Sequence, residues 1–412
     1  MKLWRSTGVR HVKILMVNKF LHPNGGSETY VFELGKQLQK EGHRVEYFGM
    51  EHEGRIVGNR AESYTADLDF HTGRLVKFLY PFKIIYSQEA RKKIRKVLID
   101  FRPDIVHINN FNFQLTPSII YEIRKFEKQT SSRIKIIFTA HDYQLSCPNH
   151  MMRIPGTGEN CERCRSIGFR ECIRNRCIHG SLTKSLLGSL EGWLYDKLGT
   201  YKNFDCLICP SRFMEEKLCS IPLFRGKTIV MHNFVDKEAC MPADKKDYVL
   251  YFGRLSKEKG IETLLEVCAK LSNIPFVFAG TGPLEAEVRK KDNIKYIGFQ
   301  RGEELVKWIA EASFSVYPSE WYENCPFSVM ESITYGTPVI GADIGGIQEL
   351  ILAGKTGELF RSGNAKELEE KIRKMWNDRT ALDKYTDNCR EKSFDTVEEY
   401  CRKLIGIYEK IQ

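Results

Sequence analysis

Short runs of β-branched and apolar residues alternate with helical patterns along nearly the whole chain, and the alternation starts twice. The first series predicts strands over 12–18, 44–48, 104–109, 134–139, 205–209 and 228–232, with helices over 27–41, 83–100 and 116–128 between them. Strands separated by helices pair in parallel, because the crossover helix carries the chain back to the starting edge of the sheet. After Asp236 the series restarts, with strands over 248–252, 275–279, 294–297, 313–317, 337–341 and 357–360 and helices over 259–271, 302–311 and 326–335. The pattern therefore predicts two doubly wound α/β domains. A length of 412 residues agrees, since single cores rarely grow past about 250–300 residues. The first domain is expected over 1–240 and the second over 241–392, joined near 236–247, where Pro242 precedes the charged run from Asp244 to Asp247. The terminal segment 393–412 carries a last helix around 396–411, and a Cys-rich insertion at 147–180 interrupts the first domain.

The apolar run from Val12 to Val17 is too short for a signal-peptide core. No later stretch approaches the roughly 18 apolar residues of a membrane span. The expectation is a cytoplasmic protein whose 13 cysteines are mostly reduced. Charge divides unevenly: residues 1–240 hold 38 Lys and Arg against 25 Asp and Glu, and the remainder 25 against 28. The basic half is expected to meet an anionic partner, whether nucleic acid, an anionic bilayer or a phosphorylated acceptor. Arg91, Lys92, Lys93, Arg95 and Lys96 fall on the predicted helix 83–100 with Ile84, Ile85, Ile94, Val97 and Leu98. That pattern suits a bilayer interface, and it equally describes a solvated helix face.

The strongest chemical signal is the segment Glu323, Asn324, Cys325, Pro326, Phe327, Ser328, Val329, Met330, Glu331, which follows a strand and opens a helix. Unpaired N–H groups and the positive dipole end at a helix start make a diphosphate site. Glu331 lies a turn and a half further on, where a carboxylate can accept two hydrogen bonds from the vicinal hydroxyls of a ribose. Glu323 can touch a transferred sugar. Arg254 and Lys259 follow the first strand of the second domain, where either can reach the diphosphate, and Gly280 to Pro283 turn tightly after the next strand. In the first domain Gly25 and Gly26 allow close approach of backbone to a phosphate, and Ser27 is a candidate N-cap. No G-x-G-x-x-G follows that strand, which argues against a dinucleotide enzyme.

These segments resemble glycosyltransferase family 4, the retaining family with the GT-B fold, and the likeness covers nearly the whole chain. The resemblance implies two Rossmann-like domains facing across a cleft, with the last helix crossing back to the first domain. It matches Glu323 and Glu331 to the family's glutamate pair, Arg254 and Lys259 to its basic pair, and Gly25 and Gly26 to its glycine loop. His141, with Asp142 beside it, matches the family's first-domain histidine, and Asn233, Phe234, Val235, Asp236 match the junction before the second domain. One departure is the missing glycine in Asn324, Cys325, Pro326, Phe327.

The same resemblance implies a retaining transfer from a UDP- or GDP-linked sugar to a saccharide or lipid-linked saccharide, in polysaccharide or glycolipid assembly, with no catalytic cofactor. His141 and Asp142 are expected at the reacting sugar with Arg254, Lys259 and Glu323. Asn324, Cys325, Pro326, Phe327, Glu331, Gly25, Gly26 and Gly280 are expected at the donor. The protein is expected to stay peripheral at the inner face of a membrane and to bind no nucleic acid. A sugar-nucleotide epimerase of the same architecture is the first rival, and a zinc-containing nucleic-acid-binding protein the second. Cys161, Cys164, Cys172 and Cys177 have spacings that suit a tetrahedral structural Zn²⁺, with Cys147, His150 and His179 as substitute ligands. The same residues also fit a loop of free thiols. Cys206 and Cys209, three apart on a predicted strand, read as core.

Overall fold

The computed structural model describes residues 11–66, 85–236 and 243–411. The first half runs β1 (Lys13–Val17), α1 (Gly26–Lys40), β2 (Arg44–Phe48), α2 (Gln88–Phe101), β3 (Ile105–Ile108), α3 (Ser118–Thr130) and β4 (Lys135–Thr139). The short helices α4 (Arg163–Ser166) and α5 (Arg170–Arg174) follow, then α6 (Leu182–Lys197), β5 (Cys206–Cys209), α7 (Arg212–Cys219) and β6 (Thr228–Val230). The second half runs β7 (Lys246–Phe252), α8 (Ile261–Lys270), β8 (Phe276–Ala279), α9 (Glu285–Val288), β9 (Ile294–Gly298), α10 (Gly302–Glu311) and β10 (Ala312–Tyr317). It closes with α11 (Phe327–Thr334), β11 (Val339–Ala342), α12 (Ile347–Leu350), β12 (Gly357–Phe360), α13 (Ala365–Asn377), α14 (Arg379–Glu391) and α15 (Val397–Ile411).

Each half builds one six-stranded parallel sheet, ordered β2-β1-β3-β4-β5-β6 and β12-β11-β10-β7-β8-β9. Nearly unbroken apolar strands such as Lys13–Val17 and Phe276–Ala279 are what a sheet covered by helices on both faces requires. Strand order reverses between β1 and β3 in one sheet and between β7 and β10 in the other, and doubly wound sheets open their ligand crevices at the carboxyl ends there. Cys206 and Cys209 are buried in cores on opposite faces of the first sheet, as strand alternation demands.

The last helix crosses back to the first domain. Val397, Tyr400, Cys401, Leu404, Ile407 and Tyr408 of α15 pack with Tyr30, Val31, Leu34 and Leu38 of α1 in one core. The Tyr400 and Tyr30 hydroxyls hydrogen-bond at 2.9 Å, and the Tyr408 hydroxyl meets Nδ1 of buried His107 at 2.6 Å. Asp236 Oδ1 accepts from the Val397 amide at 2.8 Å, so the Asn-Phe-Val-Asp junction also anchors this helix.

Helix α2 differs from its expected role. Ala90, Ile94, Val97, Leu98 and Phe101 are buried in the first core, so its apolar side does not face a bilayer. Arg91 and Arg95 converge on the buried carboxylate of Glu122 at 2.6 and 2.7 Å, which withdraws two of the five cations from any anionic surface. Residues 83 and 84, including Ile84, lie outside the described residues. Ser27 does not cap α1: the helix begins at Gly26 with Gly25 at the cap, and the Ser27 hydroxyl turns to Glu28 at 3.1 Å.

Candidate functional site

The carboxyl ends of both sheets face a cavity of about 550 Å³ lined from the first domain by Gly26, Ser27, Asn110, His141 and Asp142. From the second domain come Gly253, Lys259, Glu323, Asn324, Cys325, Pro326, Phe327 and Glu331. An adjoining lobe of about 620 Å³ shares Phe252, Gly253 and Phe299 with it and adds Arg254, Gly280 and Gln300. The structure thus separates the two basic residues. Lys259 sits in the central cavity, whereas exposed Arg254 stands in the adjoining lobe. Gly25 is next to the cavity wall without lining it, and a Cβ on Gly26 would sit 3.3 Å from the Phe327 ring across the cleft.

Helix α11 opens with Pro326 at its cap and no side-chain capping bond, leaving its first N–H groups directed at the cavity. Half-buried Glu331 is on the same helix, and burial pushes its carboxyl up to about 7. The Glu323 Oε1 accepts from Lys259 Nζ at 2.6 Å, from Ser319 Oγ at 2.9 Å and from the Trp321 indole N–H. Burial opposes the Lys259 charge, but Glu323 and Tyr317 outweigh it and raise the ammonium's pKa. The two residues form one buried ion pair with a fixed geometry. Sequence reasoning places both at the site but does not pair them.

The neighbouring loop, where the expected glycine is missing, bonds to the first domain through Asn324 and Cys325. Asn324 Nδ2 donates to the Ala140 carbonyl at 2.6 Å, and its Oδ1 accepts from Ser211 Oγ at 2.8 Å, both in the first domain. The Cys325 carbonyl accepts from Asn233 Nδ2 at 2.8 Å, and its sulfur accepts from the Asn233 amide at 3.3 Å. These two residues line the cavity yet spend their polar atoms holding the domains together. Gly346 supports the loop from behind, because a Cβ there would lie 1.7 Å from the Asn324 carbonyl oxygen. Gly280, at φ 132°, approaches the Gly253 carbonyl as closely, at 1.9 Å for an added Cβ, so its contribution is close packing of two strand ends.

His141 Nε2 meets Asn109 Oδ1 at 2.9 Å, and the ring edge contacts Tyr30 at 4.8 Å. Burial lowers its pKa to about 4, so the imidazole is neutral near pH 7. With Nε2–H donating to Asn109, Nδ1 is left as an acceptor. Asp142 pairs with His150 Nδ1 at 3.5 Å and accepts from the Gln144 amide at 2.9 Å. His150, stacked on Phe113 at 5.1 Å, also lines the cavity. From sequence it reads only as a substitute metal ligand. Asn110, Asn233 and Tyr143 line the same cavity, and Asn110 Oδ1, Asn233 Oδ1 and the Tyr143 hydroxyl are buried without a protein partner. Such orphaned polar atoms suit a polar ligand. Asn110 escapes the sequence reading, although two asparagines directly after an apolar strand are its signal.

The Cys-rich insertion reaches the same cleft. The Glu320 carbonyl, on the loop before Glu323, accepts from Arg153 and from Asn160 Nδ2, the latter at 3.1 Å. Cys164, Cys172 and Cys177 are buried in a small core with Ile154, and Cys161 packs against it. Among the described residues, no group of three or more His, Cys, Asp or Glu is placed to hold a metal ion. No described helix is long and apolar enough to cross a membrane.

Two family models match this sequence: Glycosyltransferase Family 4 over residues 24–239, and Glycosyl transferases group 1 over residues 236–393. An uncharacterised glycosyltransferase of Methanocaldococcus jannaschii is 26% identical over 57% of this chain and 67% of its own length. The α-D-kanosaminyltransferase of Streptomyces kanamyceticus is 28% identical over 41% of this chain, which spans about half of that enzyme, 47%. A 42.6 kDa protein from a cps region of Klebsiella pneumoniae is 22% identical over 82% of this chain and 87% of its own. Among solved structures, sucrose-phosphate synthase of Thermosynechococcus elongatus superposes with TM-score 0.71 at 18% identity, covering 97% of this chain and 99% of that one. Anabaena HepE in complex with UDP superposes with TM-score 0.63 at 16% identity, covering 96% and 100%.

Proposed function

This chain belongs to glycosyltransferase family 4 and is a glycosyltransferase of the GT-B fold, and on that footing we propose that it transfers a sugar, with retention, from a UDP- or GDP-linked donor to a hydroxyl of a saccharide. The observation that carries the reading is the open start of α11 sharing one cavity with Glu331 and the Lys259–Glu323 pair. The helix N-terminus and Lys259 take the diphosphate, Glu331 takes the ribose hydroxyls, and Arg254 reaches the donor from the adjoining lobe. Glu323 faces the sugar. The bond from the anomeric carbon to phosphate breaks, a bond to the acceptor oxygen forms on the same face, and the acceptor proton passes to the leaving phosphate. A diphosphate departs readily when its charge is stabilised, which is the task of Lys259 and the helix end. His141, neutral and hydrogen-bonded, orients the sugar or the incoming hydroxyl, with Asp142 beside it.

HepE complexes with UDP and with UDP-glucose support a nucleotide-sugar donor. The relative from a cps region suits a role in surface polysaccharide assembly, and within that role we propose a lipid-linked saccharide as acceptor and a protein peripheral on an anionic, cytoplasmic membrane face. Relatives named as transferases disfavour the epimerase. A structural zinc on Cys161, Cys164, Cys172 and Cys177 rests on the gathering of these thiols in and against one small core. Metal analysis of protein purified without chelator decides it: about one zinc per chain supports the site, and none removes it. For the donor, thermal-shift screening of UDP- and GDP-sugars should pick out a stabilising nucleotide sugar, which then loses its sugar to an added saccharide acceptor. Donor breakdown to an isomeric sugar nucleotide without acceptor would overturn the transferase reading.

A further inference from the structure

Helix α6 carries its amphipathicity inside out. At about 100° per residue, Leu182, Leu186, Leu190 and Trp193 fall on one strip, and they are 53%, 51%, 46% and 51% exposed. The side that faces the protein carries Ser185, Gly188, Ser189 and Glu191 beside the fully buried ring of Tyr195. Ser185 Oγ accepts from the Ile178 amide at 3.0 Å and Ser189 Oγ donates to the Phe169 carbonyl at 3.0 Å. A Cβ added to Gly188 would meet the Ile178 side chain, with Pro148 just beyond at 3.6 Å. A soluble helix ordinarily turns its leucines inward, so a face of three leucines and a tryptophan turned outward requires an apolar neighbour.

Charge identifies that neighbour. Arg170, Arg174 and Arg176, on and just after α5, are exposed, as is Lys197 on α6 itself, and Arg174 lies 3.9 Å from Glu171. The helix α5 packs on α6, which sets its arginines on the helix beside the strip, and at about 100° per residue Lys197 falls on the strip's own side. The exposed acid on α6, Asp196, is engaged by Arg165 at 3.5 Å. Leucines and a tryptophan beside arginines and a lysine match a bilayer with anionic headgroups, the tryptophan suiting the boundary between acyl chain and headgroup.

We propose that α6, with the arginines of α5, is the surface by which this protein docks on an anionic membrane. The proposal rests on the membrane-associated reading above and gives it a location, in place of α2, whose apolar side is core. The location suits a lipid-linked acceptor. Pro148 packs beneath Gly188 of α6 and lies two residues from His150, which lines the cleft. A saccharide on a lipid held at α6 therefore enters from the first-domain side.

The test is cosedimentation of the full chain with phosphatidylcholine vesicles, with and without phosphatidylglycerol, across a salt series. It compares wild type, Leu186→Ser/Leu190→Ser, Arg170→Gln/Arg174→Gln/Arg176→Gln, and Lys92→Gln/Lys93→Gln/Lys96→Gln on α2. Wild type should bind anionic vesicles at low salt, release as salt rises, and blue-shift its tryptophan emission, with the shift lost in Trp193→Phe. Both α5–α6 variants should lose at least tenfold in partitioning while melting as wild type does, and the α2 variant should bind nearly normally. Undiminished binding by the α6 variants would overturn the location and leave membrane association standing. Failure of wild type to bind any anionic vesicle would overturn both. A wild-type dimer that dissociates in the Leu186→Ser/Leu190→Ser variant would make the strip a contact between copies and also overturn the proposal.

Discussion

Glu331 and Lys259 share a cavity under opposite electrostatic conditions, and each makes a different prediction. Burial lifts the Glu331 carboxyl to about 7 and leaves it poised to ionise when ribose hydroxyls arrive. Donor affinity should therefore rise as pH increases from about 6 to 8, since only the carboxylate accepts two hydrogen bonds. Glu331→Gln should flatten that dependence, and Glu331→Ala should weaken donor binding by roughly 10- to 100-fold, the equivalent of about 1.5–3 kcal/mol for a lost charged hydrogen bond. Calorimetric titration across pH checks this, and a wild-type affinity independent of pH would count against Glu331 as the ribose ligand. Lys259 is held by Glu323 at 2.6 Å and has its charge in place before substrate arrives. Lys259→Ala should lower turnover by about 100-fold or more while changing donor affinity less, because charge on the leaving phosphate grows towards the transition state. An equal loss in binding and turnover would assign Lys259 to ground-state binding instead. Both residues were legible in the sequence from their place after a strand. Their pairing partners were not, since Lys259 and Glu323 come from loops after different strands that only the β7–β10 pairing brings together. The bonds of Asn324 and Cys325 to the first domain were illegible for a related reason: a residue facing a cavity can direct its polar atoms backwards, and only the partner domain decides which.

The alternation of strands and helices was legible because parallel strands must be apolar on both faces, and the twelve strands among the described residues fall where the apolar runs predicted them. Helix α6 was not legible, because Leu182, Leu186, Leu190 and Trp193 have the spacing of a core-facing stripe and only the fold shows them turned outward. Its inward side holds an unusual carboxyl. Glu191 is buried, its Oε1 has no partner, and burial raises its pKa from an ordinary 4.5 to about 8. Between those values the folded state binds more protons than the unfolded state, so stability falls as pH rises. The contribution is complete below pH 4.5 and is lost as pH passes through about 8. Glu191→Gln, which stays neutral, should remove this slope and melt higher than wild type near pH 8, by on the order of 5 °C for a gain of about 2 kcal/mol. Melting curves at several pH values check it, and a wild-type melting temperature that does not decline over that range relative to Glu191→Gln would refute the buried charge.

At the scale of the molecule, the chain's end determines how its two sheets respond to stress. Helix α15 follows the second sheet in sequence but belongs to the first core, where Tyr400 and Tyr408 are fully buried against α1 and β3. The Val235 amide donates to the Asp395 carbonyl at 3.0 Å, and Asp236 caps the helix, so the strands of both directions of crossing are tied to each other. The contacts of Asn324 with Ala140 and Ser211, and of Glu349 with His232 at 3.0 Å and the Arg212 and Phe213 amides at 2.8 Å, join the same two halves elsewhere. Loss of the first domain's fold would strip the second of these partners. The two halves should therefore unfold in one calorimetric transition although each has its own core, an exception to the independent unfolding common in two-domain chains. Tyr400→Ala removes a buried ring from the shared core and should cost about 3–5 kcal/mol there, splitting the transition so that a first-domain peak appears below an almost unmoved second-domain peak. Hydrogen exchange assigns the peaks, because amides of β1, β3 and β4 should lose protection before those of β7 and β10. Two transitions already present in the wild type would show that α15 adds packing to the first core without coupling the halves. A single transition in Tyr400→Ala, lowered as a whole, would instead place the coupling in the Asn324 and Glu349 contacts and make those the residues that govern opening of the cleft.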